Sequence, residues 1–249
     1  MKYSNPFACF IIGIKLSILI NNKSQKKLLL LQRNEFLSPI QKKIRKLFGR
    51  LLFTKFFIHF FQYQNLDDLA SNAIEKEFNN IIKYIPKNIK NVMDIGCGLG
   101  LINIFINENF KKIQKFHLLD KNKIDSKIKY GFSKDYESYN QLLLTKKILI
   151  NNGIHKKKIN LIDVNKKFSF EEESVDLVIS LVSMGYHYPI SEYINLLRKI
   201  STNDTIFIFD LATEYQDLNI LSQYFKYYEI IEKTDNKHPR CRVLCKKIF

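Results

Sequence analysis

From about residue 90 to the C-terminus, short apolar runs alternate with longer segments of helical period. Asn91–Ile95, Phe116–Asp120, Ile159–Asp163, Val175–Val182 and Thr205–Leu211 are dense in Val, Ile, Leu and Phe. At this length they predict strands, and the near-continuous apolar character predicts burial on both faces, as in a parallel sheet. Leu101–Phe110, Tyr139–Asn151 (closed by Gly153), Ile190–Ile200 and Glu214–Tyr224 predict the intervening helices. Two consecutive strands, Tyr227–Lys233 and Arg240–Lys246, follow, joined by a turn around Asp235 to Pro239. Five strands with helical crossovers and a terminal antiparallel hairpin predict an α/β fold, a mostly parallel seven-stranded sheet with helices on both faces.

The first 88 residues carry a different pattern. Residues 7–20 are apolar but only 14 long and include Lys15, short of the roughly 18 residues of a membrane span. Lys2 precedes them, yet no small-x-small cleavage site follows, so they read as a packed element. Residues 39–61 predict one basic amphipathic helix starting near Pro39. Ile44, Leu47, Phe48, Leu51, Leu52, Phe56 and Ile58 supply its apolar side, and Lys42, Lys43, Arg45, Lys46, Arg50 and Lys55 are interleaved. The expectation is that the apolar side packs on the main domain with the lysines in solvent; the sharper alternative is an interfacial helix on an anionic membrane. A second helix is predicted over Leu66–Tyr84, with Asp67 near its start and Pro86 beyond its end. The expected organisation is therefore a helical, basic extension over 1–88, a candidate lid, and a domain over 89–249.

Charge changes this picture little. The 249 residues carry a net +16. Residues 1–60 hold 12 Lys/Arg against the single acid Glu35, so +11 of that excess lies in the first quarter. A chain rich in Lys, Asn and Ile reaches such a balance through base composition alone, and charge by itself does not identify a nucleic-acid substrate. Cys9, Cys97, Cys241 and Cys245 form no CxxC pair and no zinc spacing. Cys241 and Cys245 fall on one face of a strand, too far apart to bridge. A reduced, cytoplasmic protein without a structural metal is expected, with peripheral membrane contact through the basic helix as an option.

Candidate chemistry concentrates in Asn91-Val92-Met93-Asp94-Ile95-Gly96-Cys97-Gly98-Leu99-Gly100. Three of only 8 glycines fall within five residues, directly after a strand that ends on a carboxylate. Glycine is needed where φ is positive or where a ligand approaches the main chain. The dinucleotide fingerprint G-x-G-x-x-G would need a glycine at Leu101. The G-x-G-x-G turn after an acidic strand end instead resembles motif I of the class I, seven-stranded Rossmann-like S-adenosylmethionine-dependent methyltransferases, and the strand order from about residue 90 to 249 is similar to theirs. Asp94 then faces the cofactor's cationic amine, and Gly96, Cys97, Gly98 and Gly100 form the turn. Cys97 is a small turn residue and not a nucleophile, because methyl transfer from a sulfonium needs none.

Asp120 ends the second strand, 20 residues after Gly100. A carboxylate there can accept from both ribose hydroxyls, and the resemblance implies that role for it, with Lys121 beside it. The resemblance also implies adenine contacts for Asp163 and Val164 at the third strand end, and a cofactor contact for Ser180 at the fourth. The following segment, Ser180-Leu181-Val182-Ser183-Met184-Gly185-Tyr186-His187-Tyr188-Pro189, lacks the Asn/Asp-Pro-Pro-aromatic signature of amino-group methylation and the Pro-Cys nucleophile of cytosine-C5 chemistry. It does offer His187, whose imidazole titrates near neutral pH and can take an acceptor proton. Tyr186 and Tyr188 would shape the acceptor pocket, and Tyr63, between Gln62 and Gln64, is a candidate contact from the lid.

These residues imply S-adenosyl-L-methionine as cofactor and methylation of a small molecule, a hydroxyl of a sugar or other hydroxylated metabolite. The alternatives are an RNA- or protein-directed methyltransferase using the basic N-terminal region, and a non-catalytic cofactor-binding module. A nicotinamide enzyme is disfavoured by Leu101.

Overall fold

The computed structural model describes residues 17–20, 22–60, 66–125, 138–172, 174–215, 218–234 and 239–249. Its strands are β1 (Asn91–Ile95), β2 (Lys115–Asp120), β3 (Ile159–Asp163), β4 (Val175–Ser180), β5 (Ser183–Tyr188), β6 (Ser201–Ala212), β7 (Phe225–Thr234) and β8 (Arg240–Ile248). Seven of them form one sheet in the order β3-β2-β1-β4-β6-β8-β7. β1, β2, β3, β4 and β6 run parallel, and β8 is antiparallel to both β6 and β7. The chain steps outward from β1 to β3 and then returns to the other side of β1 with β4. That reversal leaves a crevice beyond the carboxyl ends of β1 and β4, where open α/β sheets take ligands.

The apolar runs are explained by two cores, one on each sheet face. Val92, Phe116, Leu118, Leu177, Ile179, Ile206, Ile208 and Leu244 pack on one side. Met93, Ile95, Leu119, Val178, Phe207, Phe209, Val243, Cys241 and Cys245 pack on the other. The period-2 alternation along each strand makes this division, and it sets Cys241 and Cys245 on the same face as unbridged, buried thiols.

The helices are α1 (Lys23–Gln32), α2 (Pro39–Phe48), α3 (Arg50–Phe60), α4 (Leu66–Ile81), α5 (Leu101–Asn109), α6 (Leu142–Asn151), α7 (Ile194–Ile200) and the short α8 (Leu221–Tyr224). Leu28, Leu29, Leu30 and Leu31 of α1 and Phe53 and Phe57 of α3 join the first core. Ile18 and Ile20, the described apolar end of the 7–20 run, are also buried. The N-terminal helices thus share a core with the sheet.

Three local expectations change. The helix expected over 39–61 is broken at Gly49, whose φ of +78° ends α2 before α3 begins. A capping box starts α2: the Ser38 hydroxyl accepts from the Gln41 N–H, and the Gln41 side chain accepts from the Ser38 N–H. The apolar side of α2 does not pack inward; Ile40, Ile44, Leu47 and Phe48 are exposed, and the buried residue of α2 is Arg45. In place of a helix over 214–224, the described residues hold a 3₁₀ turn at Leu218–Ile220 and the single turn α8.

An ion cluster not anticipated from the sequence lies at the end of β6. Asp210, fully buried, accepts from Arg242 Nε (2.8 Å) and Nη2 (3.1 Å) and from Arg240 Nη1 (3.1 Å). Asp210 and Arg242 are direct partners across the antiparallel β6–β8 ladder. Asp210 Oδ2 also accepts the N–H of Val182 at 3.1 Å. Val182 has a φ of +61°, a strained conformation for a β-branched residue. Asp210 of β6, itself gripped by Arg240 and Arg242 of the C-terminal hairpin, therefore holds the strained start of the segment that follows β4.

Candidate active site

The β1–α5 turn is built by its glycines. Gly96, Gly98 and Gly100 have φ of +68°, +53° and +67°. At Gly96 the constraint is doubled, because a Cβ would stand 1.8 Å from the Ser183 hydroxyl oxygen. Every amide of the turn already has a protein acceptor. Gly96 and Cys97 donate to the Leu119 carbonyl (2.7 and 3.2 Å), and Gly100 donates to Cys97 (2.7 Å). Gly98 donates to Asp120 Oδ2 (2.8 Å), and Leu99 to Gln32 Oε1 (3.1 Å).

Asp94 is buried just inside the turn and accepts from Asn103 Nδ2 at 2.6 Å. Burial, with a smaller contribution from the Asp120 charge, pushes its carboxyl up to about 7 despite the Asn103 bond. Asp120 sits across the turn. It accepts from Gly98 N–H, Asn140 Nδ2 (2.9 Å) and, through Oδ1, the Lys121 N–H (2.7 Å). Desolvation outweighs these bonds and raises Asp120 to about 6. The parallel register places Asp163 directly beside Asp120. Asp163 is half-buried and accepts the Asn165 N–H (3.1 Å), while the Val164 N–H donates to the Asp120 carbonyl (3.1 Å). Cys97 is buried, and burial with the two nearby carboxylates holds its thiol far above its ordinary value, so it stays protonated.

The opposite rim comes from β4 and β5. Ser180 is fully buried; its hydroxyl donates to the Ile95 carbonyl (2.7 Å) and accepts the Met184 N–H (2.8 Å), tying the ends of β1 and β4 together. Tyr186, His187 and Tyr188 are half-buried on β5, with the Tyr186 and His187 rings edge to face at 5.1 Å. The Lys121 ammonium, just beyond β2, lies 5.4 Å from the Tyr188 ring centre, so the end of β2 meets β5 there. Burial and the Arg50 charge push the His187 imidazole down to about 4. Tyr63 lies outside the described residues.

Several residues at the site carried no readable signal. Asn140 and Thr145 both donate to the Gly98 carbonyl (2.9 and 2.7 Å). Gln32, at the end of α1, accepts from Leu99 and donates to the Tyr139 carbonyl (3.2 Å). Arg50 of α3 lies over the Tyr139 ring at 5.0 Å. The N-terminal extension therefore reaches the site through Gln32 and Arg50.

No family model matches the chain, and no curated protein matches it. Solved structures of related architecture do. Precorrin-6y C5,15-methyltransferase from Geobacter metallireducens superposes with a TM-score of 0.45 at 11% identity, over 71% of this chain and 88% of its own. M. jannaschii TYW2 in complex with AdoMet gives 0.45 at 15% identity, over 69% and 74%. The tRNA (m1A58) methyltransferase TrmI from Aquifex aeolicus gives 0.47 at 13% identity, over 71% and 69%. In its own strand order, with the antiparallel hairpin at one edge, the chain has a Rossmann-like α/β fold built on a mostly parallel seven-stranded sheet.

Proposed function

We propose that this chain is a methyltransferase that uses S-adenosyl-L-methionine to methylate a small molecule, at a hydroxyl of a sugar or another hydroxylated metabolite, in the cytoplasm. The observation that carries the reading is the turn itself. Three left-handed glycines stand at the sheet's switch point between buried Asp94 and the adjacent Asp120 and Asp163. A pyrophosphate needs several unengaged N–H groups, and the amides of Gly96 through Gly100 are all committed to protein acceptors. That favours a ligand read by carboxylates over a nicotinamide dinucleotide.

The acids suit the cofactor. Asp94 would receive the amine, whose positive charge favours the ionised carboxylate that burial disfavours. Asp120 has three of roughly four acceptor directions filled, leaving one toward a ribose hydroxyl. Asp163 would accept from the adenine amino group, with Val164 beside it, its N–H already given to the Asp120 carbonyl. The cofactor supplies a methyl group activated on a sulfonium. His187, neutral because of burial and Arg50, accepts the acceptor's proton at a ring nitrogen. Tyr186 and Tyr188 orient the acceptor, and holding it in line with the transferred methyl group removes much of the entropic barrier.

The test is calorimetric titration with S-adenosylmethionine and S-adenosylhomocysteine, followed by incubation with methyl-labelled cofactor and fractionated cell extract. Binding of both compounds and label in low-molecular-weight metabolites are expected. Absence of any heat overturns the cofactor assignment, and label confined to RNA or protein overturns the acceptor class.

A further inference from the structure

The face of α2 and α3 turned away from the sheet has an inverted polarity. The inward anchor of α2 is Arg45, 6% exposed, whose guanidinium donates to the Leu30 carbonyl (2.9 Å) and the Leu31 carbonyl (3.5 Å) of α1. These belong to the last turn of α1, whose carbonyls lack intrahelical partners. With that side of α2 committed, its apolar stripe points outward. Leu47 is 82% exposed, Ile40 70% and Phe48 63%, and Ile44 continues the row at helical spacing. On α3, Phe53 and Phe57 go inward and stack at 4.9 Å, while Leu52 and Phe56, one turn apart, remain exposed. Six of the fifteen large exposed apolar side chains among the described residues thus lie between positions 40 and 56. Soluble surfaces seldom gather such a patch without a partner.

Charge says which partner. No Asp or Glu occurs from residue 36 to residue 66, and Lys42, Lys43, Lys46 and Lys55 are exposed around the apolar row. Leucine and phenylalanine rimmed by lysines, with no acid, match the boundary between anionic headgroups and acyl chains. No described helix is long and apolar enough to cross a membrane, so the arrangement suits a helix pair lying on one. We propose that α2 and α3 dock the protein on an anionic lipid bilayer, with Leu47 and Phe48 inserting below the headgroups and the lysines pairing with phosphates. The inference stands apart from the catalytic reading. It has a consequence for it, because α1 and α3 also carry Gln32 and Arg50 to the site.

Cosedimentation of the full chain with vesicles of phosphatidylcholine alone and of phosphatidylcholine mixed with phosphatidylglycerol tests it. Binding on the order of tenfold stronger to the anionic vesicles is expected, weakening as salt screens the lysines. The double variant Leu47→Glu/Phe48→Glu should lose roughly tenfold of that binding while its melting temperature stays at the parent value, since both side chains are exposed. Failure of the parent to bind anionic vesicles overturns the proposal, as does equal binding by the variant. A lowered melting temperature in the variant would mean that the chain itself covers this face. A dimer in sedimentation that the variant disperses would mean that a second copy does. Either result also overturns it.

Discussion

Replacing Asp94 by Asn removes a buried charge while keeping the shape of the side chain and an acceptor for Asn103. Burial holds the Asp94 carboxyl near 7 against an ordinary value of 3.8. Between those values the folded chain keeps a proton that the unfolded chain has released. The unfolded state thus binds fewer protons there, and stability falls as pH rises through the window. Fully developed, the gap is worth roughly 4 kcal/mol. The introduced amide does not titrate, so Asp94→Asn should be more stable than the parent at pH 8, and the difference should widen by roughly 2–3 kcal/mol between pH 5 and pH 8. Urea unfolding of both proteins at the two pH values, at constant ionic strength, measures this directly. The same linkage makes the parent's affinity for a cationic amine rise with pH up to about 7, whereas the variant should bind S-adenosylmethionine weakly and with no such slope. A parent–variant stability gap that stays constant from pH 5 to pH 8 refutes the reasoning.

Four further outcomes are expected. Gly96→Ala combines left-handed strain of about 1–2 kcal/mol with overlap on Ser183 worth a further 1–3 kcal/mol or so. Gly153→Ala, at φ +86° with open space around it, should show only the strain in the same urea assay. Asp120→Ala strips the acceptor from Gly98 N–H and Asn140, and calorimetry should show cofactor binding weakened at least about tenfold, from roughly 1.5–3 kcal/mol per lost charged bond; affinity within a factor of about two of the parent contradicts the assignment. Asp210→Ala leaves the buried Arg242 with only Glu232, at 3.4 Å, as an ion-pair partner and should cost about 2–4 kcal/mol in unfolding experiments, with kcat falling as Val182 loses its anchor. For His187, whose imidazole is held near 4, kcat should level off above about pH 5, and Arg50→Ala should shift the acid limb upward; a limb near 6.5 in the parent would sink this account.

Sequence and structure divide the explanation along physical lines. Strand identity was readable because a sheet buried on both faces demands unbroken apolar runs, and β1 and β3 begin and end at the expected residues. The position of the turn and of its acids was readable because Asp94, Gly96, Gly98, Gly100, Asp120 and Asp163 lie at or next to the ends of their own strands, so order along the chain already places them at the carboxyl edge of the sheet. Gln32, Asn140, Thr145 and Arg50 were not, because each reaches the site from a different element. Gln32 meets Leu99 across 67 positions of sequence, and nothing local to either residue signals that contact. The Asp210–Arg242 pair depends on the β6–β8 register, which no strand specifies alone. Helical period likewise revealed that residues 39–61 are amphipathic but not which side turns inward. That choice fell to tertiary structure, because the last carbonyls of α1 needed a donor and Arg45 supplied one, leaving the leucine and phenylalanine row outside.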